Sequence, residues 1–240
     1  LWLALCMALA AMLYSSVGHA GASAYIALMA LFGIDATVMR PTALVLNIIV
    51  GSLASFRFVK AGLFRWRALW PFLITAIPMA LLGGTIHLPS DIYRPLVGAV
   101  LWISAIRLLW PVELKVQRET RDPPLLFALP AGAAIGLLAG LTGTGGGIFL
   151  SPLLLFMAWA PTRQASGVAA VFVLANSLAG LGGQVATLGS LPDELPLYAG
   201  AVLIGGIAGT TLGIRVPTAI ILKLLAAVLV IAGAKLIGLY

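Results

Sequence analysis

Charge is what this chain has least of. Only 9% of its 240 residues are Asp, Glu, Lys or Arg, whereas a soluble domain is about a quarter charged. No stretch is long and polar enough to fold as a separate soluble domain. Cysteine is nearly absent too: the single Cys6 lies in an apolar run, which excludes a disulfide framework and a thiolate metal site. The seven acids all fall in or beside loops. The apolar segments therefore offer no carboxylates to a divalent cation and no acid pair for proton transfer. Also missing are His-Glu-x-x-His, Gly-x-Ser-x-Gly and a Walker loop, so proteolytic and ATP-driven readings have no residues to support them. The expectation is a protein that is not an enzyme and carries no cofactor and no metal.

What is there is apolar. The chain is 62% hydrophobic with a mean hydropathy of +1.12, which places it among polytopic membrane proteins. At about 20 residues per span it has room for eight to ten helical segments, all α. The net charge of +7 would suggest nucleic acid on a soluble protein. Here the cations cluster in short loops at the ends of apolar runs, which fits positive-inside topology, and no nucleic-acid partner is expected. Attraction of anionic substrates is a compatible reading of the same charge. The run Leu1–Val17 could pass for a signal-peptide core, but it lacks a basic leading segment. It is read as a retained helix.

The most unusual stretch is Leu141-Thr142-Gly143-Thr144-Gly145-Gly146-Gly147, set between the apolar runs Pro130–Ala139 and Ile148–Trp159. Each Gly costs about 1 kcal/mol of helix propensity relative to Ala, so a helix is expected to break here. An unwound backbone at membrane depth must be satisfied by protein or water. Gly18-His19-Ala20-Gly21 interrupts the first apolar run in the same way, followed by the short run Ser23–Phe32.

These two interruptions belong to a larger repeat. Gly18 and Gly143 are 125 residues apart, Asn47 and Asn176 are 129 apart, and Pro89–Pro217 and Arg107–Lys235 keep nearly the same spacing. The charged linker 111–124 divides a first repeat, residues 1–110, from a second, residues 125–240. Equivalent loops carry opposite charge: Lys60–Arg67 is purely basic, while its counterpart holds Asp193 and Glu194. By the positive-inside rule the halves have inverted topology, with five segments each, both termini outside and the linker in the cytoplasm. Inverted repeats around Gly-rich broken helices are a transporter architecture.

A helix that restarts after a break presents N–H groups and roughly half a positive charge to an anion. Thr142 and Thr144 would add hydroxyl donors, and Gly143, Gly145, Gly146 and Gly147 would let the backbone approach without Cβ interference. The first break offers Gly18, His19, Gly21 and Ser23. Asn47 and Asn176, inside spans at matching positions, need a partner helix or a ligand; His19 could carry a proton. For Gly136, Gly140, Gly182 and Gly183 close helix packing is the expectation. Arg40 and Arg163 are explained by topology, with anion guidance as the alternative. Trp66, Trp70, Trp102, Trp110 and Trp159 read as an interfacial belt.

The stretch Gly143-Thr144-Gly145-Gly146-Gly147 through Pro152, in two related halves with a degenerate first copy, resembles the TauE/SafE sulfite exporter family, also called toluenesulfonate uptake permeases. The resemblance covers essentially the whole chain. It departs from the family pattern after the basic turn, where Ala165-Ser166-Gly167-Val168-Ala169 stands in place of Ala-x-Gly-Thr-Ser, and at Pro41. The resemblance implies a gradient-driven carrier of sulfite, organosulfonates such as sulfoacetate, or related sulfur anions across the bacterial inner membrane. The anion would lie between Gly18–Ser23 and Thr142–Gly147, with one half moving against the other. The expected partners are that anion and the bilayer, with a homodimer left open. The competing readings are a non-transporting membrane subunit and a carrier or channel for another small anion such as sulfate or thiosulfate.

Overall fold

Long apolar runs punctuated by Gly, Pro and Asp yield helices and turns. The computed structural model describes residues 1–16, 20–109, 120–184, 191–212 and 218–239. Among them are ten helices: α1 (Trp2–Ser16), α2 (Ala22–Leu31), α3 (Ala36–Lys60), α4 (Trp66–Thr85), α5 (Ser90–Leu109), α6 (Leu125–Thr142), α7 (Gly147–Phe156), α8 (Thr162–Gly183), α9 (Leu195–Leu212) and α10 (Thr218–Ile237). Four stretches, α3, α4, α6 and Arg163–Gly183 within α8, are long and apolar enough to cross a membrane. The protein is an all-α polytopic membrane protein. The two shortest helices, α2 and α7, have ten residues each. At 1.5 Å per residue that is about 15 Å, half the hydrocarbon thickness.

The ends of these helices follow from local chemistry. Asp35 caps α3 by accepting from the Thr37 N–H at 2.9 Å, satisfying one donor that the helix leaves orphaned. Pro124 and Pro161 precede α6 and α8 and disfavour any continuation of the helix toward the N-terminus. Gly143, with φ +81, stops α6 in the left-handed conformation.

The helices pair in a particular order. The principal partners are α4 with α6, α1 with α9, α5 with α10, and α3 and α4 with α8. Small residues set several of these contacts. A Cβ on Gly132, Gly136 or Gly140 of α6 would stand 2.2–2.4 Å from the carbonyl oxygens of Phe72, Ala76 or Ala80 on α4. On the other side Gly205 and Gly209 of α9 meet the carbonyls of Ala8 and Met12 on α1 just as closely. Backbone-to-backbone approach of this kind is how helices associate in lipid, where apolar side chains gain little by leaving hydrocarbon. The expected packing role of Gly136 and Gly140 holds, as it does for Gly183 against Leu81; Gly182 makes only ordinary contact, with a Leu81 methyl. The outer surface is apolar, with Ile74, Leu126, Phe127, Ile204 and Ile231 exposed.

The tryptophan belt is only partly there. Trp66 is exposed, but Trp159 is buried against Phe72, ring centroids 6.0 Å apart. Trp102 donates its indole N–H to the Val230 carbonyl at 3.1 Å, joining α5 to α10. Most of the linker, with Trp110, lies outside the described residues, as do Arg215 and Pro217.

Candidate functional site

The glycine stretch between α6 and α7 forms a tight loop with Gly143, Gly145 and Gly146 at φ +81, +72 and +77. Three left-handed residues in four positions cost an L side chain 1–2 kcal/mol or so at each, so only glycine serves here. Gly146 is the N-cap of α7. The first N–H groups of that helix have no intrahelical acceptor and carry the positive end of its dipole. In the first half Gly21, φ +89, is the N-cap of α2 in the same conformation.

The two breaks meet. A small cavity, about 20 Å³, is lined by Tyr14, Ala20, Gly21, Ala22 and Ser23 from the first break and by Thr144, Gly147, Ile148 and Val173 from the second half. Of the residues expected at the site, Gly21, Ser23, Thr144 and Gly147 line it directly. Gly18 and His19 lie outside the described residues. No charged side chain is among the described lining residues.

Asn47 and Asn176 are wholly buried, and neither the amide nitrogen nor the amide oxygen of either has a protein partner among the described residues. Unpaired buried amides cost about 1–3 kcal/mol per group. The Asn47 nitrogen lies against the glycine loop, 3.0 Å from the point where a Cβ on Gly145 would stand. The Ser177 hydroxyl, equally unpartnered, lies 3.1 Å from that point. Gly145 is therefore a window through which two buried polar groups reach the backbone.

The two threonines bond to each other and to the end of α6. Thr142 Oγ1 donates to the Leu138 carbonyl at 2.6 Å and lies 2.9 Å from Thr144 Oγ1. With the Thr142 proton committed, Thr144 is the donor within the pair, since each hydroxyl has one proton. Thr142 is fully buried and serves the loop; Thr144 reaches a ligand only by releasing Thr142. Gly146 also points elsewhere: a Cβ there would meet Ile135, Phe172 and Ala139 in the apolar core. It shapes the loop and does not face the cavity.

Arg40 corrects the topological reading. It is 7% exposed and inside the protein, not in a loop. Its guanidinium donates to the carbonyls of Gly140 and Ile86, each at 2.8 Å, and to that of Gly83. These carbonyls close the last turns of α6 and α4. Two helix C-termini carry roughly half a negative charge each, which together offset one guanidinium. Arg40 is thus neutralised in place and is no guide for incoming anions. Beside it, Tyr93 donates to the Thr142 carbonyl at 3.1 Å.

Sequence reasoning missed Ser177, Tyr14 and Tyr25. Tyr14 shares a 2.9 Å hydrogen bond with Ser23; the buried Tyr25 hydroxyl, without a protein partner among the described residues, would be 2.9 Å from a Cβ on Gly21. Only the Ser177 position carried a signal, being adjacent to Asn176. The tyrosines looked like any aromatic in an apolar helix.

A small cavity where two glycine loops meet, with the hydroxyls of Tyr14, Ser23 and Thr144 on its wall, in a bundle with an apolar exterior, fits a polytopic membrane transporter. The model of the sulfite exporter TauE/SafE family matches residues 3–236, and the chain belongs to that family, a family of transporters and not of enzymes. It is 41% identical over 239 residues, 98% of this chain and 97% of the relative, to a protein described as "Probable membrane transporter protein y4hK" from Sinorhizobium fredii (strain NBRC 101917 / NGR234). No solved structure matches the chain.

Proposed function

We propose that this protein carries a small sulfur-containing anion, sulfite or a compact organosulfonate, across the bacterial inner membrane, driven by an ion or substrate gradient. The observation that carries the reading is the cavity where Gly21–Ser23 face Thr144, Gly147 and Ile148, with the unpartnered amide of Asn47 beside the glycine loop. Helix N-termini, neutral hydroxyls and amides can hold an oxyanion without a full buried counter-charge. Gly21, Ser23, Thr144 and Gly147 line the cavity; in this reading Gly145 and Asn47 stand behind it, Thr142, Gly143 and Gly146 shape the loop, and Asn176 completes the polar set. Gly18 and His19 belong to the proposal by their place in the first break.

The reading includes an inverted repeat, with which the principal helix pairs are compatible. Exchanging the halves helix for helix turns the α1–α9 pair into the α6–α4 pair and returns α3–α8 and α5–α10 to themselves. The domains are then residues 1–110 and 125–240 around a cytoplasmic linker. The pairing also shifts the moving parts. The close backbone contacts join α4 to α6 and α1 to α9, helices from different halves. Alternating access would come from these mixed bodies separating at the cavity, not from one sequence half rocking on the other. A cavity of about 20 Å³ holds about one water, so binding an anion requires the two breaks to part.

Thermal unfolding of the purified protein against sulfite, sulfate, thiosulfate, sulfoacetate and taurine tests the reading, because a ligand of the folded state raises its stability. A sulfur oxyanion should give the largest rise. Stabilisation by neutral solutes alone would show the site chemistry to be wrong.

A further inference from the structure

The asparagine amides have more to satisfy than an anion can supply. A carboxamide carries two N–H donors and one carbonyl acceptor. An oxyanion takes only donors, whichever way the amide is turned. Asn47 and Asn176 each have both amide atoms buried and unpartnered by protein, and Ser177 Oγ, whose lone pairs can also serve a cation, is in the same condition.

These groups share one level of the fold. A Cβ on Gly51 of α3 would be 3.6 Å from Leu174 of α8, and a Cβ on Gly180 of α8 would be 3.6 Å from Leu44 of α3. Going up one helix means going down the other, so α3 and α8 cross antiparallel. The crossing lies between these two contacts, at Asn47 on α3 and at Asn176 and Ser177 on α8. The Asn47 amide nitrogen and the Ser177 hydroxyl lie 3.0 and 3.1 Å from the point where a Cβ on Gly145 would stand, so the Asn47 side chain and Ser177 converge there, with the Asn47 amide oxygen carried on the same group. Neutral oxygens with no acid among them suit a singly charged hard cation, and no group of metal-binding acids, histidines or cysteines occurs among the described residues.

We propose that the α3–α8 crossing binds a monovalent alkali cation, Na⁺ as the abundant one, through the amide oxygens of Asn47 and Asn176 and the hydroxyl of Ser177, next to the anion. The inference rests on the anion reading for the role of the cation as a coupling ion, since each amide would then bridge the two, nitrogen to the anion and oxygen to the cation. It does not rest on that reading for the cation site itself. A cation beside the anion also lowers the charge that crosses the hydrocarbon, where ionic groups are expensive.

The test is a four-way comparison on the full chain in detergent micelles at fixed pH. Thermal stability is measured in choline chloride, in NaCl at equal ionic strength, in choline sulfite and in sodium sulfite. Na⁺ alone should raise the melting temperature, and it should tighten sulfite binding about fivefold or more, with sulfite tightening Na⁺ by the same factor. Ser177→Ala should weaken the Na⁺ effect. If Na⁺ acts no differently from choline on the unaltered protein, ordinary water satisfies these oxygens and the proposal is overturned; it is overturned equally if Ser177→Ala keeps the full Na⁺ response. Na⁺ stabilisation without any sulfite response would uphold the cation site and remove the anion reading. Sulfite stabilisation with no response to Na⁺ alone would uphold the anion reading and overturn the cation site; independent stabilisation by both would overturn the coupling.

Discussion

Arg40 on α3 holds the end of α6 through a 2.8 Å hydrogen bond from its Nε to the carbonyl of Gly140. The same guanidinium reaches Ile86 and Gly83 at the end of α4, and a Cβ on Gly143 would touch its backbone oxygen at 3.1 Å. Arg40→Gln leaves orphan carbonyls of two helices without their charged donor. The expected loss is about 2–5 kcal/mol, by the usual cost of breaking charged buried hydrogen bonds. Arg40→Lys should lose less, because it keeps the charge but not the fork. Unfolding in micelles by denaturant checks the order: unaltered protein, then Lys, then Gln.

Asn47→Leu should divide stability from function. Replacing a buried, unpartnered amide by an apolar group of similar size removes a penalty of roughly 1–3 kcal/mol. The unliganded protein should therefore unfold at a higher temperature, while its response to sulfite disappears. A variant that is both less stable and still anion-responsive would show that Asn47 has a protein partner and no ligand.

The glycines separate by what surrounds them. Gly136→Ala drives a Cβ to 2.3 Å from the Ala76 carbonyl, so α4 and α6 must move apart; a cost of about 1–3 kcal/mol follows from overpacking. Gly200 on α9 has nothing within 4 Å of its Cβ position. Gly200→Ala should be neutral or stabilising by up to about 1 kcal/mol, through helix propensity alone. Parallel thermal melts of the two variants read the difference directly.

Thr144→Val should weaken sulfite binding and lower the unliganded melting temperature modestly, since its hydroxyl faces the cavity and also donates to Thr142 Oγ1 in the closed loop. Thr142→Val should lower stability in both states, because it removes a buried bond to the Leu138 carbonyl. Titration calorimetry alongside melting curves distinguishes the two patterns.

Asp35 carries a pH dependence whose sign is determined. Its carboxylate accepts from the Thr37 N–H and hydroxyl, both at 2.9 Å, and these bonds hold its pKa below the ordinary value. A lowered folded-state pKa contributes stability above the unfolded value, and that contribution is lost as pH falls through the folded one. Asp35→Ala should cost about 1 kcal/mol at neutral pH, as for other caps. The gap from the unaltered protein should close in acid.

The helices were legible because the apolar runs are long and their punctuation is chemical: Gly143 and Gly146 end and begin helices where the sequence places them. The site was legible only at its glycines and asparagines, whose cost in a span demands a reason. Arg40 was misread because a cation five residues into a helix looks the same whether it faces water or three carbonyls. The direction that Gly146 faces was not legible for a related reason, since a left-handed glycine reveals nothing about which side of the loop holds core. Thr142 and Thr144 share a residue type and a neighbourhood, and only their hydrogen bonds separate a loop-builder from a cavity hydroxyl. Tyr25 and Ser177 needed the antiparallel packing of distant helices to come into view.

The close pairing of α1 with α9 bears on biogenesis. The Ala8–Met12 face of α1 fits the glycines of a helix nearly two hundred residues further along. During synthesis α1 enters the bilayer long before that partner exists and must wait with its close-packing face against lipid. The α4–α6 pair, only one helix apart in sequence, assembles early. Every residue that lines the cavity precedes α9, so a product truncated before α9 would hold both glycine loops but lack the helix that packs behind Tyr14 on α1.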